Sequence, residues 1–293
     1  FHGLGDQPLW LDEGYSWWDA RQSLADLWHL VPQCDPHPPL YFVMLKGWIA
    51  LFGDESEALR ALSAMLGVAT TCVLVLAGRQ ISPLTGWVAG AMFALTPFQI
   101  EFAREARPYA LLCFGAALLL YGVLRLARRL QDAPDDGRFA DWACVGAGAL
   151  IVLWTNNTSV LIVASAGLVL ALLGWLDRAG RLSLRAFATV VAVVAALWLP
   201  YLPVLIDQAH GVSSDFWIPR PTPGWRIVNE LRFVVSLSVY EAFWPGLAPS
   251  GRARGRSMTS SSPGAVACVL GRRSTPSRRL AGGGRRGRPA AGS

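Results

Sequence analysis

Lysine is almost absent from this chain. Lys46 stands alone against 25 arginines in 293 residues, and charged residues make up only 16% of the sequence. A soluble domain carries about 25%, so an ordinary water-facing surface is excluded and a bilayer is the natural environment. Acidic residues are missing from Gly246 to Ser293, a segment with ten arginines. Without that segment, residues 1–245 hold 16 basic and 20 acidic side chains, a net of −4 against +6 for the whole chain. The basic balance is therefore local and gives the body no face for nucleic acid. Cysteine is sparse, odd in number and scattered (Cys34, Cys72, Cys113, Cys144, Cys268). That excludes a disulfide framework or a zinc spacing and leaves small packing residues. The opening at Phe1 lacks an initiator Met and a signal-peptide pattern. Because a polar, aromatic loop precedes the first full span, a membrane helix is expected ahead of it.

What is present in quantity is hydrophobic sequence, 53% of the chain, with 13 Trp. The pattern predicts an all-α, polytopic transmembrane bundle with loop helices on one face. Residues 1–38 read as a loop with short amphipathic helices. Ser23 to Leu30 has apolar residues at helical spacing and a Ser N-cap, and the paired prolines after His37 break it. Leu40 to Phe52 is apolar but only 13 residues long. A span needs about 20, so this stretch is expected to be re-entrant or interfacial. Spans are expected over Ala61 to Gly78, Ile81 to Ile100 and Tyr109 to Leu124. Trp142 to Leu176, at about 52 Å if one helix, must fold into two spans, with Thr155 to Thr158 as the polar apex. Phe187 to Ile206 spans again, bent at its end by Pro200 and Pro203.

With Leu40 to Phe52 re-entrant, Arg79, Arg125, Arg128, Arg129, Arg178, Arg181 and Arg185 fall on one side. The positive-inside tendency makes that side cytoplasmic. The other side collects Asp12, Glu13, His37, Arg104, Arg107, Asn156, Asn157 and the loop around Trp217. The expected location is thus a cytoplasmic (inner) membrane, with the unusual polar groups facing outward. Two regions follow: a membrane domain over 1–245, lacking its first and later spans, and a low-complexity basic segment over 246–293. The latter is either disordered or the product of a shifted reading frame, since its residue types have GC-rich codons.

The stretch Pro8 to Asp19 holds adjacent carboxylates, Asp12 and Glu13, among Trp10, Tyr15, Trp17 and Trp18. Aromatics of this kind favour the membrane-water boundary, and an acid pair beside a membrane is costly without a task or a partner. One task is to transfer a sugar from a lipid phosphate to a hydroxyl. That reaction needs a general base, usually a carboxylate or His, and fixed positive charge for the departing phosphate, which suits Arg forks. Asp12 and Glu13 supply the base; adjacent helical residues point apart, so one acts and the other orients, or the pair binds a divalent metal. No cofactor is otherwise called for. Arg60, Arg104 and Arg107 are the phosphate candidates, the last two on a shared helical face, with pairing to Glu101 and Glu105 at a helix end as their alternative. His37 is a further phosphate or metal contact, or a structural residue. Tyr41, Tyr109, Asn156, Asn157 and Trp217 are candidate sugar contacts, with a plain turn as the alternative for the asparagines and an interfacial anchor for Trp217.

The series LDEGYS, HPPLYF, EALR (57–60) with LSAMLG, AREARPY, the hairpin apex, and WLPYLP followed by FWIPRPTP resembles a known family. It is similar to bacterial members of the protein O-mannosyltransferase and aminoarabinose-transferase superfamily, GT-C fold enzymes that use polyprenyl-phosphate sugars and are often grouped as glycosyltransferase family 39. The resemblance covers about residues 5–245. It implies Asp12 as the base, Glu13 as its companion and Arg60 as a functional arginine. The implied reaction moves a mannose-like sugar with inversion onto a protein, lipid or glycan hydroxyl. The alternative is a polyprenyl-lipid transporter or flippase; internal repeats, expected of many transporters, are not found.

Overall fold

The computed structural model describes residues 4–29, 31–33, 35–129, 138–177 and 182–215. Among these there are helices and no strands. In chain order they are α1 Leu11–Arg21, α2 Leu24–His29, α3 Leu40–Phe52, α4 Ser56–Gly78, α5 Pro83–Leu95, α6 Pro97–Ala103, α7 Tyr109–Arg129, α8 Arg138–Leu153, α9 Val160–Leu176, α10 Leu184–Trp198 and α11 Leu202–Asp215. Among the described residues four segments are long and apolar enough to cross a membrane: Ser56–Gly78, Tyr109–Arg129, Asn157–Leu176 and Leu184–His210. The fold is an all-α polytopic membrane bundle. Trp217 and residues 246–293 lie outside the described residues.

Local chemistry explains most boundaries. Ser23 Oγ accepts the Asp26 N–H at 3.1 Å, the expected cap at the start of α2. α3 begins after Pro38 and Pro39 and ends at Gly53, whose φ of 85° is a backbone form that glycine adopts without penalty. The first stretch differs from its reading as loop with short helices, because Leu11–Arg21 is a regular three-turn helix. Glu13 starts it by accepting the Trp10 N–H at 3.3 Å, half of a capping box. The span expected over Ile81 to Ile100 also differs. It splits at Thr96 into α5 and α6, because Pro97 has no N–H to continue the ladder. At 13 residues, α5 is about 20 Å long, short of the hydrocarbon thickness.

α3 enters and leaves at one end of the bundle. The Leu40 N–H donates to Trp154 O (3.2 Å) at the hairpin apex, and past its other end Asp54 accepts from Trp17 Nε1 (3.1 Å) and Arg21 (2.7 Å) of α1. The same end carries the starts of α4 and α7. At the opposite end Arg128 reaches Arg79 O (3.5 Å), and Arg125 and Arg129 converge on the buried carboxylate of Asp141. Arg79, Arg125, Arg128 and Arg129 therefore lie at the end of the bundle away from Asp12 and Glu13; Arg178, Arg181 and Trp217 lie outside the described residues.

Glycines set the helix spacing. A Cβ on Gly148 of α8 would lie 2.4 Å from Leu119 N and 2.7 Å from Leu119 Cα of α7, and one on Gly115 would lie 2.5 Å from Ile151 Cγ2. Small residues allow such close backbone approach in membranes. Gly148→Leu is expected to force α7 and α8 apart and cost about 3 kcal/mol, the upper part of the overpacking range. Gly167→Leu is the control, as nothing lies within 4 Å of that position. Equal melting temperatures of the two variants in lipid nanodiscs would refute the packing account.

Candidate active site

Glu13 and Asp12 are separated by the turn of their helix. Glu13 points into the protein and is fully buried, while the Asp12 side chain is 39% exposed. The divergence follows from the roughly 100° between neighbours on a helix. Glu13 meets Arg60 at the start of α4 in a two-pronged pair, with Nε to Oε1 at 2.8 Å and a terminal nitrogen to Oε2 at 2.6 Å. Oε1 also accepts the Ala106 N–H at 2.9 Å, and Oε2 the Trp10 N–H. Arg60 directs its remaining donors to three carbonyls, Leu4 (2.6 Å), Gln7 (2.9 Å) and Pro8 (3.2 Å). All five N–H groups of a guanidinium are thereby engaged. Burial alone would raise the Glu13 carboxyl, but the hydrogen bonds from Arg60 and Ala106 and the charge of Arg60 outweigh it and hold it below its ordinary value.

Arg107 is the second buried cation at this end. One terminal nitrogen lies 3.3 Å from Asp12 O, 3.4 Å from Ser16 Oγ and 3.4 Å from Asp35 Oδ2, and the other is 3.9 Å from the Asp12 carboxylate. Its guanidinium sits 5.8 Å from the centre of the Tyr109 ring. Asp35 holds His37 as well, accepting from the His37 N–H at 2.8 Å and meeting Nδ1 at 2.6 Å. Burial pushes Asp35 up, yet the His37 hydrogen bonds and the charge of Arg107 bring its carboxyl below the ordinary range.

The geometry divides the sequence candidates. Asp12, Glu13, Arg60, His37, Arg107 and Tyr109 come together. Arg104 does not share a face with Arg107: residues 104–108 form a turn ahead of Pro108 and not a helix, so Arg107 points inward while Arg104 is exposed. Tyr41 is corrected from sugar contact to core residue. It is fully buried, with its hydroxyl 3.2 Å from Ser63 Oγ. Asn156 folds back on Thr158 (2.9 Å to N, 2.7 Å to Oγ1) and caps the apex. Asn157 Nδ2 donates to Pro36 O (2.7 Å) and Gln208 Oε1 (2.9 Å), which ties the apex to the segment carrying His37. Trp217 lies outside the described residues. No group of three or more His, Cys, Asp or Glu side chains arranged for a metal occurs among the described residues, and both oxygens of Glu13 are engaged by Arg60 and backbone N–H groups.

Over half of the chain, residues 36–206, matches the family of the dolichyl-phosphate-mannose-protein mannosyltransferases. The chain belongs to that family. It is a membrane glycosyltransferase of the GT-C type, as the sequence motifs implied. Comparison with curated proteins and with solved structures returned no match. The family match includes His37, Arg60, Arg107 and Asn157 and begins after the acid pair; it is the three-dimensional contacts that join Asp12 and Glu13 to it.

Four residues escaped the sequence reading. Asp35 carried a usable signal, because an Asp two residues before a His commonly folds its carboxylate onto that residue's N–H. Ser16 and Asp19 follow Asp12 at helical spacing of four and seven, a polar stripe on α1 that becomes visible once a helix replaces the loop. Gln208 offered no signal. Its Nε2 donates to Pro32 O (2.8 Å) and Asp35 O (3.2 Å), contacts across more than 170 residues. Beside it Trp28, Trp154 and Tyr201 pack with ring centres 5.5–6.1 Å apart, fixing the apex to α2 and to the start of α11.

Proposed function

We propose that this glycosyltransferase moves a mannose-like sugar from a polyprenyl-phosphate donor to an acceptor hydroxyl at the outer face of a cytoplasmic membrane, with inversion at the anomeric carbon. The observation that carries the reading is the pairing of a half-exposed acid, Asp12, with the buried guanidinium of Arg107, at the end of the bundle away from the arginine-rich turns. Asp12 accepts the proton of the acceptor hydroxyl as its oxygen bonds to the anomeric carbon. The bond from that carbon to the phosphate oxygen breaks, and the polyprenyl phosphate leaves with the electron pair. Arg107 places fixed positive charge beside the reacting centre, where preorganised charge has its largest effect, and exposed Arg104 contacts the phosphate. Glu13 and Arg60 position rather than react: they clasp α1, the strand of chain before it and the 104–108 turn. His37, aligned by Asp35, lines the donor side with Tyr109. The acceptor is a protein, lipid or glycan hydroxyl.

The test is transfer of labelled mannose from polyprenyl-phosphate-mannose by the protein in lipid nanodiscs, with release of polyprenyl phosphate. Movement of the lipid across the bilayer without transfer would instead favour a flippase. Arg104→Gln is expected to raise the donor KM about ten- to a hundredfold, from the ~1.5–3 kcal/mol of a hydrogen bond to a charged group, with kcat little changed. An unaltered KM would remove Arg104 from the donor site.

A further inference from the structure

Asp19 takes no part in the chemistry above, yet it is among the most buried polar groups of the chain. It is 1% exposed, and its Oδ2 has no hydrogen-bond partner. Arg107, whose charge acts on it, has a buried and equally unpartnered Nε. A buried acceptor and a buried donor left unsatisfied in one cluster are rare, since each carries a desolvation cost. Asp19 lies one and two turns beyond Ser16 and Asp12 on the face of α1 that Arg107 bonds. Arg107 is already shared between Asp12 and Asp35, so a third carboxylate charge would compete for it.

We propose that Asp19 is a positioning residue acting through Arg107: protonated, it leaves the guanidinium to Asp12 and Asp35, and once charged it takes the unpartnered Nε–H and draws Arg107 from Asp12. The proposal rests on the role given to Arg107 above. The ionisable groups on the elements around α1 are Asp35 and His37, Tyr41 and Lys46 of α3, Asp54 after α3, which is held by Arg21 and Trp17, Arg60 of α4, and Glu105, Arg107 and Tyr109 at the turn into α7. Of these, Lys46 is held by Ala20 O and Gln22 O, Arg60 by Glu13, and His37 by Asp35. Asp35 and Arg107 are the ones whose charge reaches Asp19. Burial, then repulsion from Asp35, push the Asp19 carboxyl up from 3.8 to about 8, against the opposing pull of Arg107. The folded protein therefore keeps a proton that the unfolded chain gives up in the ordinary carboxyl range. The stability this provides is full below that range and is lost as pH rises through about 8.

Three measurements on the full chain in nanodiscs decide it. Difference infrared spectroscopy is expected to show a protonated-carboxyl band that disappears with a midpoint near pH 8 and is absent in Asp19→Asn. With 15N-labelled arginine, the Nε–H resonance of Arg107, assigned by its loss in Arg107→Lys, is expected to move with the same midpoint in the wild type and to stay still in Asp19→Asn. Mannose transfer is expected to fall about tenfold per pH unit above the midpoint, a limb that Asp19→Asn removes. A band unaffected by Asp19→Asn, or an Arg107 resonance that does not titrate between pH 6 and 10, overturns the proposal. The first two readouts need no sugar transfer, so an inactive preparation does not leave the question open, and the Arg107 resonance of the wild type must titrate with a midpoint near pH 8 even where Asp19→Asn fails to fold.

Discussion

Arg60→Ala is expected to destabilise the folded protein by about 3–5 kcal/mol, the cost of breaking a buried ion pair by removing one partner. Glu13 would keep two backbone N–H donors but lose both of its charged ones, with no exposure to water in compensation. The carbonyls of Leu4, Gln7 and Pro8 would lose their donor together. A Lys at this position would not restore them, because an ammonium is a compact charge and lacks the planar fork. The expected pattern is a lowered melting temperature, early protease cleavage within residues 4–10, and a smaller loss when Glu13→Gln is combined with Arg60→Ala than when Arg60 alone is removed. Melting of Arg60→Ala at the wild-type temperature would show that the clasp is not structural.

The second large effect is on rate and not on stability. Asp12→Asn keeps the shape of the side chain but cannot accept a proton, and transfer is expected to fall about a hundred- to ten-thousandfold, the range of a general base. The fold should be indifferent, within about 0.5 kcal/mol, because the Asp12 carboxylate is partly solvated and its ion-pair contact with Arg107 is long at 3.9 Å. Asp12→Asn thus separates chemistry from folding, which Arg60→Ala does not. Full transfer by Asp12→Asn would transfer the role of base elsewhere, with His37 the next residue in line because Asp35 already engages its Nδ1.

Segments governed by local rules were legible. Paired prolines mark the start of Leu40–Phe52, whose bounds the helix keeps, and its length predicted a re-entrant or interfacial helix in place of a span. The polar apex split 142–176 where the helices in fact end. Where local rules competed, the reading slipped. Hydropathy alone ran 81–100 together, although Pro97 interrupts the ladder. The three-residue spacing of Arg104 and Arg107 suggested a shared helical face, although Pro108 leaves them in a turn. Tyr41 read as a candidate sugar contact, but α3 turns it toward Ser63 and the core.

Composition and hydrophobic pattern were sufficient for the membrane class and the helical bundle, because these depend on solvent partition and on neighbours within a few residues. The division of labour within the acid pair was not available at that level. Glu13 is committed to Arg60 across 47 residues and to Ala106 across 93, and Arg107 gathers Asp12 and Asp35 from 95 and 72 residues away. Hydrogen-bond valence is limited, and only the packed helices show that Glu13 is saturated by such distant partners while Asp12, facing the other way, stays partly exposed.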